Sequence, residues 1–286
     1  MKYYALTYSL NPKLCGPFPQ VEDTSSTGNE NSIENFDLKF IATDVLVPQV
    51  SIYNRAKPTD IISGVSAEFM SNLLVSGKLK NILDKYSPEA FQYFKTVVGH
   101  RGSVYDDYWF VHPTRESLES VDFFKSQVIK APFFELQEGK GITEEVLSVI
   151  DADGFIQERA RNQRDCTNLD EYIRIANLAL LDSDETPQFL YLRFVEGAFA
   201  YIVSETLKQQ IIDAGCFGVE FRPIEMSFND WHNYLSERSS LTRQKSKVSK
   251  KAKPVLAVEN NMPSENIGEI TVNELANWIK ETRKRH

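Results

Sequence analysis

Two aromatic stretches, Phe91-Gln92-Tyr93-Phe94-Lys95-Thr96-Val97-Val98 and Tyr105-Asp106-Asp107-Tyr108-Trp109-Phe110-Val111, flank the polar sequence Gly99-His100-Arg101-Gly102-Ser103. Aromatic and β-branched residues favour strands, and a short polar segment containing glycine is typical of the connection between two strands. This part of the chain therefore predicts a β-hairpin that carries a histidine and an arginine in its loop.

The rest of the chain mixes strand and helix patterns. Aromatic and aliphatic runs predict further strands at residues 3–8, 189–194, 199–203 and 219–224. Helical spacing of apolar residues and N-terminal capping residues predict helices at 67–74, 78–86, 143–149, 168–180 and 205–214. We interpret residues 20–35 as a solvated loop, because they contain only two aliphatic side chains.

The order of these elements indicates the α+β class, with an antiparallel sheet against which helices pack. Val65-Ser66 and Val203-Ser204 both precede a predicted helix that leads towards an aromatic strand. This repeated pattern is consistent with a duplicated strand–helix–strand unit and two similar lobes. The alternative is that Val-Ser is a common junction between a strand and a helix cap.

Composition narrows the class of protein. The chain has 286 residues, of which 42% are hydrophobic and 25% charged, as is usual for a globular protein. No apolar run reaches the roughly 18 residues that a membrane-spanning helix needs. The three cysteines, Cys15, Cys166 and Cys216, are widely spaced, which indicates free thiols in a reducing compartment. With no signal-peptide pattern at the N-terminus, we expect a cytoplasmic protein.

Charge divides the chain into an acidic body and a basic tail. Residues 1–240 carry 22 basic and 35 acidic side chains, a net charge of −13, whereas residues 241–286 carry 10 and 5, a net charge of +5. We predict a body over 1–240, a basic flexible linker over 241–270 and a short amphipathic helix over 271–286. The capping-box spacing Thr271-Val272-Asn273-Glu274 supports that helix. An acidic body repels nucleic acid and anionic membranes and attracts basic partners.

Motifs that would indicate an enzyme are missing from the sequence. No nucleotide-binding glycine motif, serine elbow or pair of zinc-binding histidines is present, so no catalytic residue, metal or cofactor is predicted. Asp151-Ala152-Asp153-Gly154 has the wrong glycine position for a calcium loop and is interpreted as a turn. The enzymatic alternative is a small hydrolase or transferase that uses His100, Arg101 and an acidic loop.

Taken in order, a set of short motifs resembles immunity-protein family 11 of bacterial polymorphic toxin systems, formerly a domain of unknown function. These motifs cover about residues 1–225 and lie at 1–6, 60–66, 79–83, 91–97, 107–113, 120–122, 187–194, 201–204 and 218–224. The resemblance implies a cytoplasmic antidote that binds and neutralises a cognate secreted toxin domain. It supplies no catalytic residues and does not identify the toxin. An adaptor that loads a toxin onto secretion machinery is a third hypothesis, which the basic tail favours.

Two acidic groups beside aromatic strands are the candidate contacts with a basic toxin. Both are expected in loops, where ionised carboxylates can occupy the positions of substrate phosphates in a basic cleft. The candidate toxin-binding residues are Asp106, Asp107, Trp109, Asp182, Asp184 and Glu185. The oligomeric state is not predicted.

Overall fold

The computed structural model describes residues 1–25, 31–42, 44–64, 69, 72–86, 89–132, 144–165, 171–195, 198–226 and 230–231. Along the chain the elements are β1 (Tyr3–Tyr8), α1 (Pro12–Cys15), β2 (Val21–Thr24), β3 (Val50–Ile52), β4 (Ile61–Ile62), β5 (Leu73–Ser76), α2 (Gly77–Leu83), β6 (Phe91–His100), β7 (Ser103–Pro113), β8 (Gln127–Pro132), β9 (Glu145–Leu147), α3 (Ala152–Asp165), β10 (Glu171–Ala176), β11 (Phe189–Val195), β12 (Ala198–Ser204), α4 (Glu205–Asp213) and β13 (Val219–Pro223).

The strands form two sheets. Sheet A has seven strands in the order β13-β1-β12-β11-β10-β8-β9, and sheet B has six in the order β2-β3-β6-β7-β5-β4. Neighbouring strands are antiparallel except β10–β11 in sheet A and β3–β6 in sheet B. The α+β class is confirmed, but both sheets are mixed, so the prediction of a purely antiparallel sheet is wrong.

Strand periodicity lets both sheets bury side chains on two faces. On β12, Tyr201 and Val203 join the core between the sheets, whereas Ala200 and Ile202 join a core on the other side of sheet A. Such two-sided burial explains why the strand reads as a continuous apolar run rather than an alternating one. Phe155 of α3 belongs to that outer core of sheet A.

The core between the sheets holds them together and contains stacked aromatic rings. Phe91 of sheet B stacks on Phe189 of sheet A with ring centroids 4.2 Å apart. The Tyr201 hydroxyl donates a hydrogen bond of 2.8 Å to the Val111 carbonyl, which joins sheet A to sheet B. Burial raises the pKa of Tyr201 well above its usual value, so this hydroxyl remains a donor.

Helices α2 and α4 begin with the same local structure. The Ser76 hydroxyl accepts a hydrogen bond from the Leu79 amide, and the Ser204 hydroxyl accepts one from the Leu207 amide. Both leucines are buried in the core between the sheets. The predicted helix 205–214 is thus confirmed, and 78–86 is confirmed over α2. The matching junction lies at Val75-Ser76, however, whereas residues 65–66 lie outside the described residues. The two similar lobes remain a prediction.

Two predicted helices are strands in the structure, and the helix predicted over 67–74 is wrong at its end, where β5 begins at Leu73. The segment 143–149 contributes β9, which pairs with β8, and 168–180 contributes β10, which pairs with β8 and β11. On β10, Ile173 and Ile175 are buried in one core, a spacing of two that fits a strand. The predicted turn at 151–154 is instead the start of α3, where the Asp151 carboxylate accepts a 2.7 Å hydrogen bond from the Gly154 amide.

The strands predicted from the sequence are confirmed. The strands at 3–8, 91–98, 105–111, 189–194, 199–203 and 219–224 are all present as β1, β6, β7, β11, β12 and β13.

The interpretation of 20–35 as a solvated loop is wrong at its ends, because Gln20 and Ile33 are fully buried and β2 starts at Val21. Residues 232–286, with the predicted linker and C-terminal helix, lie outside the described residues.

Candidate functional site

The hairpin of β6 and β7 is the most prominent feature of sheet B. Its strands are 10 and 11 residues long, and His100 pairs with Ser103, so only Arg101 and Gly102 form the turn. Both turn residues have positive φ angles, 53° and 76°, as a tight hairpin of this length requires. The Arg101 Nε donates a 2.7 Å hydrogen bond to the Asn54 carbonyl, which fixes the tip against the neighbouring loop.

Apolar side chains are exposed at the hairpin tip. Val104 is 70% exposed, Tyr105 is 39% exposed and Tyr53 of the neighbouring loop is 40% exposed. The His100 ring lies beside the Tyr105 ring, with centroids 6.5 Å apart. A tip that combines exposed aromatic rings with a fixed backbone is suited to contact with another protein, because little order is lost on binding.

Asp106 and Asp107 were predicted to lie in a loop, but both lie inside β7. Successive side chains on a strand point to opposite faces, so these two exposed carboxylates cannot act as a single pair. Asp107 lies against Gly77 at the start of α2, where a β-carbon would collide with the carboxylate. It also accepts a 3.0 Å hydrogen bond from Trp109 Nε1. Asp107 and Trp109 therefore form one unit, and Asp106 stands apart.

Trp109 is partly covered by lysine side chains. The Lys80 Nζ lies 5.3 Å from the Trp109 ring centroid and 5.1 Å from that of Tyr93, while the Lys95 Nζ lies 6.0 Å from Trp109. Such cation–π contacts are modest at exposed sites. They place two positive charges beside the predicted acidic contact Asp107, so this face of the hairpin is mixed in charge.

Asp182, Asp184 and Glu185 lie in the connection between β10 and β11, as predicted, and all three are exposed. The Asp182 carboxylate accepts a 2.6 Å hydrogen bond from the Met1 amino group, and this hydrogen bond lowers the pKa of Asp182. The acidic loop belongs to sheet A, whereas Asp106 and Asp107 belong to sheet B. Within the described ranges, no hydrogen bond or ion pair joins the two predicted groups, so they are separate candidate surfaces.

His100 and His112 do not have the surroundings that the enzymatic alternative requires. His112 is fully buried, with Nε2 3.1 Å from the Lys39 carbonyl and Nδ1 3.1 Å from the Asn72 side chain. Burial lowers its pKa, so the ring is neutral near pH 7. His100 is solvent-accessible and contacts the Asn54 carbonyl. Neither ring is hydrogen-bonded to a carboxylate in the described part of the chain.

A charged cluster that the sequence did not predict links α3 to β11. Glu116 accepts a 2.7 Å hydrogen bond from the Arg193 amide, and the Arg193 guanidinium lies 3.0 Å from Asp37. The Arg159 guanidinium stacks 3.0 Å from the centroid of the Phe194 ring, and burial lowers the pKa of Arg159 to about 10. Phe194 has a positive φ of 56°, at the bulge after Arg193. Because these residues come from four separate segments, no local sequence pattern could reveal the cluster.

The described residues contain no group of three or more histidine, cysteine, aspartate or glutamate side chains that is placed to hold a metal ion. In the same part of the chain, no helix is both long enough and apolar enough to cross a membrane. The adaptor hypothesis rests on the tail and lies outside the described residues.

Part of the chain is similar to a known protein family. Residues 35–153, less than half of the chain, match the model of the immunity protein family Imm11. This confirms the resemblance over a segment that contains β3 to β9, and with them the hairpin, Asp106, Asp107 and Trp109. The acidic loop at 182–185 lies outside the matched segment. No curated protein matches the chain.

Proposed function

We propose that this protein is a cytoplasmic immunity protein of a polymorphic toxin system, which binds a cognate toxin domain and blocks it without catalysing a reaction. The match of residues 35–153 to an immunity family is the observation that carries this proposal. The surroundings of His100 and His112 give the enzymatic alternative no support.

The charge of the body favours a basic toxin. Residues 1–240 have a net charge of −13. Toxins that act on nucleic acid need basic clefts, and opposite potentials steer two such proteins together, with association rates up to about 10⁸–10⁹ M⁻¹s⁻¹ at low salt. The proposed complex should therefore form more slowly as ionic strength rises, because salt screens the attraction between exposed charges.

The contact residues predicted from the sequence form two candidate surfaces. The first is the hairpin, with Asp106, Asp107 and Trp109 below the exposed tip. The second is the acidic loop, with Asp182, Asp184 and Glu185. The hairpin lies in the matched segment, whereas the acidic loop carries three exposed carboxylates within four residues.

Charge reversals can distinguish the two surfaces. We would measure binding of an inactivated toxin domain, encoded beside this gene, to Asp182→Lys with Asp184→Lys and to Asp106→Lys. Glu22→Lys with Asp23→Lys is the matched control, because these neighbouring carboxylates are exposed on the edge strand β2. A contact surface should lose about tenfold in affinity or more at low salt, about 1.4 kcal/mol, while the control changes little.

Binding of the unmodified protein is the test of the function itself. Co-expression with the active toxin should restore growth, and the two proteins should co-purify. Protection without a complex at micromolar concentrations would refute the binding mechanism.

A further inference from the structure

Phe124 is the most exposed large hydrophobic side chain of the described residues. It is 84% exposed, although its neighbour Phe123 is 6% exposed and belongs to the outer core of sheet A. Isolated exposed apolar residues are normal on protein surfaces. Phe124 differs from such residues in the way its backbone is held and in the charges around it.

The turn that carries Phe124 is fixed by hydrogen bonds on both sides. The Asp122 carbonyl accepts from the Ser126 amide at 2.8 Å, and the Asp122 carboxylate accepts from the Lys125 amide at 3.2 Å. The Asp122 amide donates to the Ala179 carbonyl, and the Ala179 amide donates to the Ser126 hydroxyl, both at 2.9 Å. The aromatic ring is thus displayed from an ordered backbone, which reduces the entropy lost on binding.

The start of the acidic loop lies beside this turn. The Leu181 amide donates to the Ser120 carbonyl at 2.9 Å, so the segment that leads into the acidic loop runs alongside the Phe124 turn. Lys125 forms a 2.7 Å ion pair with Asp122, which raises the pKa of Lys125, and the charge of Asp182 raises it further. The two segments joined by the hydrogen bond between Leu181 and Ser120 carry exposed carboxylates at Glu119, Asp182, Asp184 and Glu185.

We propose that Phe124 is the aromatic anchor of the toxin-binding surface, and that the toxin offers an apolar pocket bordered by lysine or arginine side chains. This inference rests on the proposed function and places the contact at the acidic loop rather than at the hairpin tip. A central aromatic side chain with charged residues at its edge is the usual arrangement of a binding hot spot. A second copy of this acidic body would meet like charges here, which disfavours self-association through the same surface.

Phe124→Ala and Phe40→Ala form a matched pair for the test. Phe40 is also a phenylalanine in the matched segment and is 68% exposed. Calorimetric titration with an inactivated toxin domain should show that Phe124→Ala weakens binding about 30-fold or more, which corresponds to about 2 kcal/mol. Phe40→Ala should stay within about threefold of the unmodified protein. Both variants should keep the thermal midpoint, because neither ring is in the core.

The outcomes separate the inference from the function on which it rests. If the unmodified protein binds the toxin and Phe124→Ala binds it equally well, the anchor is refuted and the proposed function stands. If the unmodified protein does not bind the toxin, the proposed function fails and the anchor fails with it. An effect of Phe124→Ala only on self-association, or only on the protease sensitivity of residues 241–286, would also overturn the assignment. Either result would indicate that Phe124 contacts a second copy of the protein or the basic tail of the same chain.

Discussion

Replacing Asp60 should loosen the junction between the two sheets. Its side chain is 5% exposed, and its carboxylate accepts hydrogen bonds from the Ser76 hydroxyl and, at 2.8 Å, from the Phe217 amide. The Lys78 ammonium lies 3.0 Å away. The Asp60 amide and carbonyl also bond Phe217 and Ser76, each at 3.0 Å. Asp60 therefore ties the start of α2 to the connection between α4 and β13.

The expected loss in Asp60→Ala comes from the buried partners that it leaves unpaired. A hydrogen bond to a charged group contributes about 1.5–3 kcal/mol, and two such bonds are lost. The Lys78 side chain is 43% exposed, so its ion pair with Asp60 adds only about 0–1 kcal/mol. Allowing for relaxation, we expect the free energy of unfolding to fall by about 3 kcal/mol. For a body of this size, that lowers the thermal midpoint by about 6–12 °C.

Chemical and thermal denaturation of three variants measures this effect. Asp84→Ala is the control, because it removes an i,i+4 ion pair with Lys80 in which the Asp84 side chain is 40% exposed, and it should cost about 1 kcal/mol or less. Asp60→Asn keeps the shape and one acceptor, so its loss should lie between the other two. If Asp60→Ala is no less stable than Asp84→Ala, the carboxylate does not hold the sheets together and the reasoning is refuted.

The remaining predictions concern pH and the tail. Burial holds the pKa of His112 below its usual value of 6.5, so the unfolded chain binds the proton more readily than the folded one. The free energy of unfolding should therefore fall as the pH drops through about 6.5. In urea titrations between about pH 5 and 7.5, His112→Gln should weaken this pH dependence. An equally steep pH dependence in the variant would contradict this role of His112. Truncation after Ser240 should leave the thermal midpoint of the body nearly unchanged, because a polar tether buries little surface. A large fall in calorimetry would show that Trp278 packs into the core.

Strands with aromatic and β-branched residues could be predicted from the sequence, whereas β10 could not. Leu169, Ile173, Ala176 and Leu180 repeat at helical spacing, which favours a helix over 168–180. In the structure this segment forms a strand, and Ile173 and Ile175, two residues apart, are buried in the same core. Pairing of β10 with β8 and β11 makes this burial possible. Long-range pairing decides such ambiguous segments, and a local pattern does not contain that information.

The candidate site shows the same division between local and long-range information. The hairpin followed from two aromatic runs around glycines. The strand predicted over 105–111 already contained Asp106 and Asp107, yet the prediction of the contact residues placed both in a loop before Tyr108. The two-residue turn at Arg101 and Gly102 extends β7 back to Ser103 and places both carboxylates in the strand. Phe124 has no sequence signal, since it follows another phenylalanine and only folding turns one ring inward and the other outward.

Titration of a fixed amount of active toxin with this protein gives the sharpest measure of how protection works. If the protein acts by binding, toxin activity should fall in proportion to the protein added and reach zero near one equivalent, with the two proteins recovered as one complex. If a small fraction of an equivalent silences all of the toxin over time, the protein acts as an enzyme on the toxin or its product, and neutralisation by binding is contradicted.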